Sequence, residues 1–96
     1  MTVSVRIPTM MQKMFGGAKD VQADAATLGD LIVSLDQRYP GFKGKVETED
    51  GELHRFVNVY VNDEDVRFTG GLDTRLKDGD VVSVLPALAG GLDRAV

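Results

Sequence analysis

The residues best suited to chemistry lie at the C-terminal end: Pro86, Ala87, Leu88, Ala89, Gly90 and Gly91, followed by Leu92, Asp93, Arg94, Ala95 and Val96. A small-residue tail running out of an apolar strand can deliver a terminal carboxylate into another protein's active site. Two glycines keep that tail thin, and they adopt backbone angles closed to other residues. Fully extended, Ala87 to Gly91 spans at most about 17–18 Å, enough to reach a recessed site while the globular body stays outside. A carboxylate so delivered is a poor acyl donor until a partner gives it a better leaving group. The tail's own contribution is proximity. The sequence shows no phosphate loop and no lysine-anchored cofactor motif, so the reagents for such a step belong to partners.

The other polar residues offer less. His54 is the sole histidine and has no serine, cysteine or metal-ligand companion at useful spacing, which fits a surface or loop position. Asp63, Glu64 and Asp65 lack the calcium-loop pattern and read as a solvated turn. Met10, Met11 and Met14 read as core filling, with an adaptable contact surface as the alternative. Leu85 and Leu88, at the base of the tail, are the candidates for partner docking. Phe68 is a further candidate, although core membership is the stronger expectation for it.

Composition narrows the field. Ninety-six residues make one domain, which buries roughly 60–65% of its unfolded surface. Cysteine is absent, so there is no disulfide, no thiol nucleophile and no zinc-finger reading, and a reducing cytoplasm is the expected location. No apolar run is long enough to span a membrane, and the N-terminus does not resemble a signal peptide. The net charge is −4 with no basic stripe, which excludes a nucleic-acid footprint. Mild acidity suits a partner with a basic surface, and equally serves solubility.

The elements that must position the tail follow from periodicity. Val3, Val5 and Ile7 alternate with polar residues as a half-buried strand. Lys19 to Gln22 would pair with it as a hairpin, after the turn signal Gly16-Gly17. Thr27 with Asp30 resembles a capping box. Leu28, Leu31, Ile32 and Leu35 then mark one face of a helix that Pro40 and Gly41 end near Tyr39. Gly44 to His54 is polar and reads as a loop or irregular hairpin. Phe56 to Val61 is a strand, Asn62 to Asp65 a turn, and Val66 to Phe68 a short strand that Gly70-Gly71 ends. Leu72 to Leu76 is a helical turn or loop, Lys77 to Asp80 a tight turn, and Val81 to Leu85 the last strand.

One helix with one apolar stripe must cover one face of a mixed sheet. Pairing the first and last strands in parallel at the sheet centre frees the tail at one end. That is an α+β fold of the β-grasp, or ubiquitin-like, type. A ferredoxin-like fold is the competitor by pattern, but it needs a second long helix. The expected division is a β-grasp domain over residues 1–89 and a flexible tail over 90–96.

Three stretches carry a family resemblance: Leu53-His54-Arg55-Phe56-Val57-Asn58, the segment Asn62 to Phe68, and the terminal Leu85-Pro86 through Ala89-Gly90-Gly91. Together, over Val3 to Gly91, the chain resembles the ThiS/MoaD family of small sulfur carriers, and within it the actinobacterial carriers of cysteine biosynthesis. The resemblance implies a carrier that is not itself an enzyme and binds no cofactor. An adenylating partner related to ubiquitin activators, using ATP and Mg²⁺, would convert the glycine carboxylate to an acyl-adenylate, and sulfur would displace AMP to leave a thiocarboxylate. A sulfur-accepting synthase, of the pyridoxal-phosphate type in the cysteine branch, would take the sulfur, and a metalloprotease would release the product. The resemblance also implies that the apolar residue before the proline, here Leu85, contacts the activating enzyme. Other roles within this group are the small subunit of molybdopterin synthase, a carrier for thiosugars or other specialised products, and a ubiquitin-like protein modifier.

The sequence departs from the pattern at one place. Gly91 is followed by Leu92, so its carbonyl sits in a peptide bond and cannot be adenylated as encoded. The expectation is that a protease, of the metalloprotease type, cleaves between Gly91 and Leu92; the alternatives are that the extension protects the chain from premature activation, is the start of a fusion, or leaves the chain inactive.

Overall fold

The computed structural model describes residues 2–55 and 57–86. Five strands form one mixed sheet: β1 (Thr2–Arg6), β2 (Asp20–Asp24), β3 (Val57–Val61), β4 (Glu64–Asp65) and β5 (Val81–Pro86), in the spatial order β2-β1-β5-β3-β4. β1 and β5 lie side by side in parallel, with Val5 opposite Val82, and β2 and β3 flank them antiparallel. The helix α1 (Leu28–Arg38) covers one face. This is the β-grasp arrangement that the strand pattern predicts.

The core sits between helix and sheet. Leu28, Leu31, Ile32 and Leu35 meet the inward residues Val3, Val5, Val59, Val82 and Val84, all buried. Burying each such side chain is worth ~1.5–3 kcal/mol, which is why period-3.6 and period-2 patterns fix the same interface from both sides. Thr27 caps the helix, its Oγ1 accepting the Asp30 N–H at 3.2 Å, as the Thr27/Asp30 spacing suggests. The β2 strand falls where the hairpin reading puts it and runs to Asp24.

Four local readings need correction. Thr9–Phe15 forms a 3₁₀ helix that buries Met11 and Phe15 and leaves Met10 65% exposed, so Met10 is not core filling. The segment read as a loop from Gly44 begins inside a second helix, α2 (Phe42–Val46), whose Phe42 and Val46 are buried one turn apart. Phe42 stacks edge-on against Phe15 at 5.3 Å, and Phe15 lies 4.3 Å from Tyr39. Gly41 takes a φ of +101° between the two helices, where a side chain would be strained. Beyond α2 an isolated bridge joins Glu47 to Leu53, which is the irregular hairpin expected there. Finally, Asn62 and Asp63, both at positive φ, form the two-residue turn between β3 and β4, so strand pairing resumes at Glu64–Asp65. Val66–Phe68 is then a 3₁₀ turn, held by the Asp65 carboxylate accepting the Arg67 N–H at 2.9 Å.

Candidate functional site

β5 leads to the tail, and its start is pinned by side chains. At its start, Asn62 works in both directions: its Oδ1 accepts the Val81 N–H at 3.0 Å and its Nδ2 donates to Asp80 Oδ1 at 2.8 Å. The other Asp80 oxygen accepts the Lys77 N–H at 2.8 Å. These hydrogen bonds, the Lys77 amide first and Asn62 second, hold the Asp80 carboxyl below its ordinary value of 3.8 against a small opposing effect of desolvation.

At its far end β5 outruns β1. The parallel pairing stops at Arg6 opposite Ser83; Ile7 still pairs toward the β2 side, its N–H donating to the Lys19 carbonyl at 2.8 Å, and Pro8, which has no N–H to give, precedes the 3₁₀ helix that begins at Thr9. From Val84 to Pro86 the paired neighbour among the described strands is β3, with Leu85 opposite Asn58 and Pro86 opposite Val57. The Asn62 N–H donates to the Val81 carbonyl at 2.8 Å. Antiparallel ladders alternate hydrogen-bonded and non-hydrogen-bonded pairs, so Tyr60·Ser83 and Asn58·Leu85 are hydrogen-bonded pairs and Val57·Pro86 is not. That spacing accommodates proline, which has no N–H to give. Asn58·Leu85 is therefore the last hydrogen-bonded rung among the described residues.

Among the described residues no element covers the face of the sheet away from α1. Beside the end of β5 that face forms a shallow groove of ≈ 340 Å³ lined by Arg6, Pro8, Tyr60, Asp63, Ser83 and Leu85, among others. Leu85 is 47% exposed on this face, so half of its side chain is free for a partner. Phe68 is 85% exposed. This overturns the expectation that Phe68 belongs to the core: the 3₁₀ turn buries Val66 and throws the residue two positions on outward. His54 lies in the connection after α2, its N–H donating to the Val46 carbonyl at 2.8 Å. Leu88, Gly90, Gly91 and Leu92, together with the expected domain boundary at 89, lie outside the described residues. Among the described residues no three His, Cys, Asp or Glu side chains are grouped to hold a metal ion, and no helix is long and apolar enough to cross a membrane.

One residue that sequence reasoning passed over stands at the tail exit. Arg67 reaches from the 3₁₀ turn to the start of β3, where its guanidinium donates to the carbonyls of Val57 at 2.7 Å and His54 at 3.1 Å and to Asn58 Oδ1 at 2.9 Å. The only signal for it was its place in the segment Asn62 to Phe68.

The ThiS family matches residues 5–91 of this chain, ending on Gly91. The chain is 52% identical over 93 residues to the sulfur carrier protein CysO of Mycobacterium tuberculosis, a match that takes in 95% of this chain and all of that protein. It is 47% identical over 68 residues to small archaeal modifier protein 3 of Haloferax volcanii, covering 71% of this chain and 73% of the relative. Its fold superposes with a TM-score of 0.86, at 50% identity, on a chain of the crystal structure of the Amycolatopsis orientalis BexX/CysO complex, covering 93% of this chain and 99% of that one.

Proposed function

We propose that this chain, which belongs to the ThiS family, is a sulfur carrier whose working group is the carboxylate of Gly91. The observation that carries the reading is the family match running through the sheet and stopping at Gly91, with full-length similarity to a sulfur carrier protein. The geometry is consistent with that role. β5 is anchored at its start and, among the described residues, paired on one side alone at its end, so the body supplies a fixed base and the tail supplies the reach.

The chemistry runs in three stages. A protease, of the metalloprotease type, hydrolyses the Gly91–Leu92 peptide bond, with water supplying the new carboxylate oxygen. An adenylating partner then joins that carboxylate to the α-phosphorus of ATP, with Mg²⁺ on the phosphates, and pyrophosphate leaves. A sulfur donor attacks the resulting acyl carbon, AMP departs, and Gly91 ends in a thiocarboxylate. The acceptor is a synthase, most consistently one of cysteine biosynthesis with its own pyridoxal phosphate. The chain acts throughout as the substrate of partner enzymes. Leu85 on the open face, with Leu88 beyond it, docks the activating partner.

The test is the intact mass of the protein isolated from its own cell. Loss of residues 92–96 together with a sulfur-for-oxygen increment is expected, whereas a full-length mass alone contradicts the reading. The second reading, a protein modifier, is favoured by the similarity to small archaeal modifier protein 3. It requires the same exposed Gly91 and would show itself as isopeptide-linked conjugates on target lysines.

A further inference from the structure

The geometry points to Arg67 as the positioning residue of the tail exit: its guanidinium completes the open edge of β3 and so fixes the last rung of β5. In an antiparallel strand, residues alternate between directing their N–H and C=O toward one neighbour and toward the other. Asn58 faces β5 through its rung with Leu85, so Val57 and Val59 direct their backbone groups the other way. β4 covers that outer edge at Tyr60 and Val61 only. At Val57 no strand arrives among the described residues, and Arg67 takes its place, with Nη2 on the Val57 and His54 carbonyls and Nη1 on the Asn58 side chain. The Val57 N–H turns back to the His54 carbonyl at 3.1 Å, which closes the same corner.

Three acceptors from three residues thus converge on one planar fork, a geometry that lysine cannot reproduce. Asp65 holds the fork's own element. Its carboxylate accepts the Arg67 N–H and stands 3.9 Å from the guanidinium. The position matters because, among the described residues, Leu85 and Pro86 pair with β3 alone. Whatever loosens Val57 and Asn58 loosens the base from which the tail departs. Among the described residues Arg67 bonds to His54, Val57, Asn58 and Asp65 and not to β5, so it acts on β5 through β3.

The consequence for activation rests on the sulfur-carrier reading; the consequence for the rung does not. The experiment therefore has two arms, on chains ending at Gly91, for Arg67→Ala, Arg67→Lys and a control, Arg38→Ala. The control removes a comparable bond, to the Gln22 carbonyl at the opposite edge of the sheet. In the first arm, amide hydrogen exchange at Leu85 is expected to quicken about tenfold in Arg67→Ala and by less in Arg67→Lys, with Val5 unchanged. In the second arm, kcat for the adenylating partner is expected to fall about tenfold in Arg67→Ala and by less in Arg67→Lys, with a smaller rise in KM from the loosened Leu85. Unchanged exchange at Leu85 overturns the inference. So does equal loosening of Val5 and Leu85, or a matching change in Arg38→Ala, since either makes Arg67 a general stabiliser. Faster exchange with normal turnover overturns the positioning role. Failure of the unmutated chain to be activated at all defeats the carrier reading instead, and the exchange arm still decides the rung.

Discussion

Leu85→Ala separates docking from packing at the base of the tail. Leu85 is 47% exposed on the open face, opposite Asn58. Complete burial of a leucine is worth ~1.5–3 kcal/mol, so a partner that covers the exposed half gains ~0.7–1.4 kcal/mol. That corresponds to a loss of ~3- to 10-fold in kcat/KM for adenylation when the side chain is cut back. The half already covered by the sheet contributes a similar amount to folding, and losing it should lower the melting temperature by about 4–8 °C for a domain of this size. The assay is pyrophosphate release by the adenylating partner, with every carrier ending at Gly91 and thermal unfolding followed in parallel. Leu85→Met, which keeps volume and apolarity, should restore both quantities nearly to their starting values. If Leu85→Ala melts earlier yet is activated at the unaltered rate, the exposed half touches no partner and the open face is not the docking surface. If activation falls without any change in melting, the division of the side chain between sheet and partner is wrong.

Three further outcomes follow from the same structure. Phe68→Ala should leave stability within about 0.5 kcal/mol of the parent, because an 85% exposed ring has little packing to lose; a large drop in melting temperature would contradict its placement, while slowed activation would add it to the docking surface. The lowered pKa of Asp80 means that its hydrogen bonds stabilise the fold above the ordinary carboxyl value of 3.8 and that this contribution is lost as the pH falls through the lower folded value. Asp80→Asn should therefore weaken the protein at neutral pH and flatten the acid limb of stability against pH, with an unaltered limb as the contrary result in acid titrations followed by circular dichroism. Gly91→Ala in the shortened chain should slow adenylation without disturbing thermal unfolding, because the added methyl widens a tail that must enter a narrow channel; equal rates would remove the physical reason for glycine there.

The parts of the fold that were legible in sequence are those where two periodicities agree on one interface. Leu28, Leu31, Ile32 and Leu35 specify a helix face, Val3 and Val5 with Val82 and Val84 specify strand faces, and each needs the other to be buried. The parallel pairing of β1 with β5 followed from where those strands had to lie. What escaped was short or three-dimensional. α2 is five residues long and contains Gly44; it exists because Phe42 packs on Phe15 in the aromatic corner completed by Tyr39 and Val46 is buried in the same core, not because of propensity. Val66, Arg67 and Phe68 alternate like a strand, but the Asp65 carboxylate draws in the Arg67 N–H and tightens the chain into a 3₁₀ turn. That turn reverses the expected fate of Phe68 and aims Arg67 at β3. A lone arginine after an acidic turn looks like a solvated charge until the register of β3 is known. The diglycine is read as chemistry from residue size and sequence position alone, and it lies outside the described residues.

The central claim is tested most directly by giving the adenylating partner, ATP, Mg²⁺ and a sulfide source two versions of the carrier, the encoded chain and one ending at Gly91, and weighing the intact products. The shortened chain should gain the sulfur-for-oxygen increment and the encoded chain should remain unchanged. A shortened chain that never forms the thiocarboxylate, or an encoded chain converted just as well with Leu92 to Val96 in place, would contradict the account.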